Sequence, residues 1–192
     1  VLIDAGDITH PDVAQRDKEV AWVRDWMGIA ARCGARCVRV IAGDAEPNGN
    51  GDWRDVEAVQ VSAANLRALA GVGRELGVEV LTENFRALGS RAGALNAILN
   101  LCEGEVGLCA DFGNFEGPDK YDDLAAILPR ATSVHAKADF LAVGQMDRED
   151  FTRCLGLARD AGFAGPYSLI FSSPGDEWEG VDQTREVVEE WL

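Results

Sequence analysis

Val106-Gly107-Leu108-Cys109-Ala110-Asp111-Phe112-Gly113-Asn114 is the stretch whose reading decides the fold. An apolar run that closes on a carboxylate, followed by glycine and asparagine, is the pattern of a buried parallel strand whose end delivers polar groups to a site. Two other stretches repeat it. Val78-Glu79-Val80-Leu81-Thr82-Glu83-Asn84 closes on Glu83, and Thr132-Ser133-Val134-His135-Ala136-Lys137 closes on His135 and Lys137.

Working outward, Val1 to Asp7 reads as a strand with no cap, turn or methionine before it, as if the chain opens mid-fold. Helical spacing of Val20, Val23, Met27 and Ala30 predicts a helix from Val13 to Cys33, with Gly34 at its end. A strand from Cys37 to Gly43 leads to a loop, Asp44 to Asp52. Its Pro47, Asn48, Gly49, Asn50 and Gly51 are turn chemistry and predict mobility. A helix from Val56 to Leu76, stopped by Gly77, precedes the Glu83 strand. A helix carrying Leu95, Ile98, Leu99 and Leu101 precedes the Asp111 strand. Tyr121 to Leu128 reads as a short helix closed by Pro129. After the His135 strand the expected elements are a loop (Phe140 to Asp147), a helix (Glu149 to Ala161) and a strand (Tyr167 to Phe171). A polar loop (Ser172 to Gly180) and a final helix (Val181 to Leu192) complete the chain.

Six strand-then-helix units without repeat or linker predict a single domain, residues 1–192, built on a parallel sheet with right-handed crossovers. An open doubly wound sheet and a closed (β/α)8 barrel both fit, and a barrel typically needs eight strands and about 250 residues. Strand count favours the open sheet. Polar groups at the ends of several successive strands favour the barrel, because an open sheet gathers its site at one switch point. Asp4-Ala5-Gly6-Asp7 after the first strand is no glycine-rich phosphate turn, so nucleotide binding has little support.

The formal charge of -15 excludes the basic clusters that hold phosphate backbones, and nucleic acid is not an expected partner. A negative field favours divalent cations. No apolar run approaches the roughly 20 residues of a membrane helix and no leader opens the chain, so no membrane association and a cytoplasmic location are expected. Five cysteines without a CxxC spacing read as buried reduced thiols rather than a zinc or disulfide framework.

Strand parity places His135 and Lys137 on one face, and Asp111 with Cys109 on one face. Glu, Asp and His at one rim form a mixed oxygen and nitrogen set suited to Mn²⁺, Mg²⁺, Co²⁺ or Zn²⁺. Bland alternatives stand beside each. Glu83-Asn84 could cap the next helix; Asp111 could close an Asx-turn with Gly113-Asn114; His135 could be a satisfied core group. Lys137 could meet a substrate oxygen or pair with Asp111 or Glu83. Arg39, mid-strand, requires a carboxylate partner. His10 reads as a loop residue, structural or substrate-lining. Asp176, Glu177 and Glu179 read as a solvated acidic loop at a helix N-terminus in preference to substitute ligands.

Taken in order, Glu83-Asn84, Asp111-Phe112-Gly113-Asn114, Val134-His135-Ala136-Lys137 and Tyr167-Ser168-Leu169 with Gly175-Asp176 and Glu179-Gly180-Val181 resemble the xylose-isomerase-like TIM-barrel superfamily of sugar phosphate isomerases and epimerases. The resemblance implies a (β/α)8 TIM barrel. The six strands would be barrel strands three to eight, with the first two βα units absent. Open strand edges would then mark a fragment, an incomplete gene product or a chain covered by a partner. It further implies a divalent metal on Glu83, Asp111 and His135, with Ile170 where the fourth ligand, a second acid-base Glu, belongs. Glu83 and Lys137 become the candidate catalytic residues, acting through an enediolate on a small ketose or hydroxy-ketone. The alternative is an impaired or fragmentary barrel that at most binds metal or sugar, the metal held weakly or not at all because of Ile170. Nuclease activity, which in this superfamily uses a multi-histidine cluster, is disfavoured by two histidines and the acidic charge. The residues leave a homo-oligomer open.

Overall fold

Asp12 opens the first helix, its carboxylate accepting a hydrogen bond from the Gln15 amide at 2.8 Å. The computed structural model that places it describes residues 1–47 and 52–192; residues 48–51, the centre of the loop expected to be mobile, lie outside the described residues. The chain forms two units, Val1–Cys109 and Ala110–Leu192.

The first unit runs β1 (Leu2–Ile3), α1 (Val13–Arg32), β2 (Cys37–Val40), a 3-10 turn (Trp53–Asp55), α2 (Glu57–Leu76), β3 (Glu79–Glu83), α3 (Arg86–Gly89), α4 (Ala92–Leu101) and β4 (Gly107–Asp111), whose last two residues pass into the second unit. β1 pairs with β2, β2 with β3, and β3 with β4, all parallel. Val23 and Met27 of α1, Val59, Leu66 and Leu69 of α2, and Val38 and Val40 of β2 are buried. This is the covering of a parallel sheet by helices that its apolar strands require. α2 stops at Gly77, whose φ of 71° is the left-handed conformation that glycine adopts without a Cβ penalty.

The second unit contains the end of β4, then α5 (Lys120–Ile127), a 3-10 turn (Leu128–Arg130), β5 (Ala131–Lys137), β6 (Phe140–Ala142), β7 (Gln145–Met146), α6 (Arg148–Asp160), β8 (Tyr167–Ile170) and α7 (Glu177–Glu189). β5 pairs with β8 in parallel, in the register His135 with Ser168 and Lys137 with Ile170. The ring of Phe112, fully buried, lies 6.1 Å from Phe151 and 6.4 Å from Tyr167. Lys120 is buried at the start of α5 and pairs with Asp150 (2.8 Å) and Asp139 (3.2 Å), while the Tyr121 hydroxyl donates to Asp150 (2.8 Å). Burial is the largest single influence and works against the Lys120 charge, but the bond to Asp150 together with the electrostatic influence of Cys154, Asp150 and Asp139 outweighs it, and the ammonium titrates above its usual value. Burial pushes the nearby Cys154 thiol up to about 12, so it stays protonated.

Several elements depart from the sequence expectation. The stretch 140–147 is not a loop throughout: β6 and β7 form an antiparallel hairpin with Gly144 at φ 70°. Strands of three and two residues with Leu141 and Val143 exposed leave no burial pattern to read. The final helix begins at Glu177 rather than Val181, because Asp176 caps it, accepting from the Trp178 and Glu179 amides (2.9 and 3.1 Å). β1 spans two residues of the seven anticipated. Cys102, Cys109 and Cys154 are buried free thiols as expected, but Cys33 at the end of α1 is exposed. Among the described residues no helix is long and apolar enough to cross a membrane.

Two predictions follow from this packing. Phe112→Ala removes a ring from a dry aromatic cluster and should cost about 3–5 kcal/mol of unfolding free energy by urea titration; a loss under about 1 kcal/mol would show that the cluster packs loosely. In the first unit, burial alone would raise the Asp7 carboxyl. Hydrogen bonds from the Asp44 amide (3.0 Å), the Thr9 hydroxyl (2.7 Å) and the Thr9 amide (2.9 Å) outweigh it and hold the group below its ordinary value. The stability this gives is present above the unfolded value of about 3.9 and is lost as pH falls through the lower folded one. Asp7→Ala should therefore lower the urea midpoint at pH 7, with the gap to the native chain closing below about pH 4; a gap of constant size down to pH 3 would contradict this.

Candidate functional site

In the first unit, β3 ends on Glu83, which is only 2% exposed. A carboxylate so removed from water needs a cation. Arg39 of β2, 5% exposed, supplies it, with Nε 2.6 Å from Glu83 Oε2. The Arg39 NH1 group donates to the Ile3 carbonyl (3.0 Å), NH2 pairs with Asp4, and the guanidinium lies 5.4 Å from the centre of the Phe85 ring. The carboxylate partner expected for Arg39 is thus Glu83, with Asp4 beside it. Glu83 does not cap α3: the residue at that helix start is Phe85, without a side-chain cap. β3 and β4 pair with Glu83 opposite Cys109, a buried thiol. Behind Glu83 the chain turns tightly through Arg86 (φ 54°) and Ala87 (φ 30°), conformations costing about 1–3 kcal/mol each for a non-glycine residue. Strain of that size next to a buried carboxylate marks a segment fixed by its surroundings.

In the second unit, Asp111 (3% exposed) and His135 (7% exposed) lie at the ends of β4 and β5, with His135 Nδ1 3.5 Å from Asp111 Oδ2. The other carboxylate oxygen, Oδ1, accepts from the Gly113 amide at 2.8 Å, which is the Asx-turn anticipated as the bland alternative. Here that turn serves the site by fixing the carboxylate. Lys137 Nζ donates to Asn114 Oδ1 (2.6 Å) and lies 3.7 Å from Asp111 Oδ1, so of its two foreseen carboxylates it meets Asp111. Its stem runs over Gly113, where a Cβ would fall 2.4 Å from Lys137 Cε. A larger residue there would displace the lysine stem from this path. The structure therefore brings Asp111, His135 and Lys137 together, and places Glu83 in the first unit with Arg39.

Ile170 is half-buried and sits opposite Lys137 in the β5–β8 register. It offers no donor atom for a cation and no proton. Asp176 cannot replace it without giving up the two amides it caps, and Glu177 and Glu179 are exposed in the first turn of α7. His10 is tied into its loop, with Nδ1 accepting from the Asp12 amide (3.1 Å) and its carbonyl accepting from Arg16 (2.7 Å). Buried carboxylates and a buried imidazole are a donor set that fits a divalent ion, hard or borderline, better than it fits an apolar core. Two features escaped the sequence reading. Cys109 faces Glu83, for which parity with Asp111 was the available signal. Asn114 holds Lys137, for which no local spacing gives one.

A family model, the xylose isomerase-like TIM barrel, matches residues 3–192. No curated protein gives a significant match. Among solved structures, a xylose isomerase-like TIM barrel protein from Mycobacterium smegmatis in complex with magnesium superposes with a TM-score of 0.72 at 17% identity, covering 99% of this chain and 71% of that one. D-psicose 3-epimerase from Clostridium cellulolyticum H10, crystallised with D-tagatose, gives 0.66 at 13% identity, covering 97% and 73%. The IOLI protein with a bound zinc atom gives 0.72 at 16% identity, covering 97% and 74%. At such identities the superpositions establish the fold, six βα units of the TIM-barrel kind. With the family model matching almost the full length, the chain belongs to the xylose isomerase-like TIM-barrel family.

Proposed function

We propose that this protein is a divalent-metal-dependent sugar isomerase or epimerase acting on a small ketose or hydroxy-ketone. The observation that carries this reading is the buried Asp111–His135 pair at 3.5 Å, at the ends of two strands of a fold shared with sugar epimerases. Metal-bound relatives, one with magnesium and one with zinc, support a divalent ion without choosing it. Glu83, Asp111 and His135 would hold the ion, whose contribution when bound is to polarise a substrate carbonyl and the neighbouring hydroxyl.

The chain's own groups supply the rest. Glu83, a carboxylate shielded from water, moves the proton at the carbon next to the carbonyl. Lys137, held by Asn114 and partly exposed, donates to the substrate oxygen on which negative charge develops. Burial of Asp111 and His135 keeps bulk water from competing for them. A charge of -15 suits a cation and a neutral polyol better than a polyanion.

Ile170 favours a second reading, a metal- or sugar-binding protein with little turnover, because the site then lacks one ligand and one acid-base group. Calorimetry with Mn²⁺ and a ketose C3-epimerisation assay separate the two. Asp111→Ala and His135→Ala should each weaken Mn²⁺ binding by about tenfold or more, as loss of one of three ligands demands, and Ile170→Glu should strengthen it. Turnover by the native chain would sink the binding-only reading; affinity and turnover that appear only in Ile170→Glu would sink the enzymatic one. Unchanged Mn²⁺ affinity in Asp111→Ala and His135→Ala would remove both residues from the site.

A further inference from the structure

The ion pair behind Glu83 contains more than charge neutralisation. Arg39 is 5% exposed, and its planar guanidinium makes ion-pair or hydrogen-bond contacts with three different parts of the first unit. Nε meets Glu83 Oε2 of β3 at 2.6 Å, NH1 donates to the Ile3 carbonyl of β1 at 3.0 Å, and NH2 pairs with Asp4 after β1. Its face is held by Phe85 at 5.4 Å, and the same ring also contacts Arg86 at 4.6 Å. Arg86 in turn donates to the Asp4 carbonyl at 3.3 Å, closing the ring of contacts on the strained turn that follows Glu83.

A lysine could neutralise Glu83 as a point charge, but it could not reach β1, Asp4 and Glu83 at once with fixed angles. Neutralisation alone would not require the guanidinium to be anchored on its other sides. We propose that Arg39 is a positioning residue for Glu83: anchored on β1 and against Phe85, it fixes the direction in which the Glu83 carboxylate is presented. One part of the test rests on the metal reading of Glu83 given above; the other does not.

The test uses crystal structures and Mn²⁺ calorimetry of the native chain, Arg39→Lys, Glu83→Gln and the double variant. Arg39→Lys keeps the charge and loses the fork. The Glu83 side chain should leave its native rotamer in that variant, and Mn²⁺ affinity should fall by about 10–100-fold, the usual effect of removing a group that orients a ligand. In the Glu83→Gln background the same substitution should leave Mn²⁺ affinity unchanged, because Arg39 acts through Glu83; a purely structural role would lower affinity in both backgrounds. Glu83 in its native rotamer in Arg39→Lys, or an equal loss of affinity with and without Glu83, would overturn the proposal. If Arg39→Lys does not fold, Asp4→Asn, at a side chain 62% exposed, loosens the same anchor, and the same displacement of Glu83 is expected or its absence overturns the proposal. A native chain that binds no Mn²⁺ would overturn the metal reading instead, and the Glu83 rotamer alone would decide the role of Arg39.

Discussion

A carboxylate buried at the end of a strand cannot remain charged without a partner, and that constraint organises both units of this protein. Glu83 at 2% exposure is tied to Arg39, and Asp111 at 3% exposure is surrounded by the Gly113 amide, His135 and Lys137. Removing one member of such a set leaves an uncompensated buried charge, a loss of about 3–5 kcal/mol, whereas most surface ion pairs contribute about 0–1 kcal/mol. The exposed network of Arg67, Arg74, Glu103 and Glu105 belongs to the second class. An apolar core would be the more stable solution at these strand ends.

The local backbone serves the same end. The Asp111 carboxylate is fixed by the backbone amide of Gly113, and the Lys137 stem packs closely over that glycine. Glu83 is followed by Arg86 and Ala87 in conformations that L-residues rarely adopt, with Gly89 packed so that a Cβ would sit 2.7 Å from the Glu83 carbonyl. Each carboxylate is therefore placed twice, once by its ion partners and once by a tight turn just beyond it.

Much of this could be read from the residues, and what could not has a physical reason. Strands with apolar runs closing on Glu83, Asp111 and His135 were legible because burial on both faces removes alternation and leaves only the polar terminus. Arg39 could be assigned a carboxylate partner in kind, though not by number, since the choice of Glu83 and Asp4 depends on the pairing of β1, β2 and β3. The β6–β7 hairpin was illegible, as its residues are too few and too exposed to carry a pattern. The early start of α7 rests on the Asp176 cap, which competed in the sequence with an acidic-loop reading of the same residues. The Lys120 network joins residues 19 and 30 positions apart, beyond any helical or strand spacing.

Ile170 puts an apolar side chain where a fourth ligand is expected. It lies opposite Lys137 in the β5–β8 register, where the family resemblance places a carboxylate, so the metal site proposed above has Glu83, Asp111 and His135 as its ligands and no fourth. Anomalous diffraction from a Mn²⁺-soaked crystal tests this directly. One anomalous peak is expected, with Glu83, Asp111 and His135 donor atoms all at about 2.0–2.3 Å from it, the range for such ligands. A peak bound by other residues, or one that omits any of these three, would contradict it.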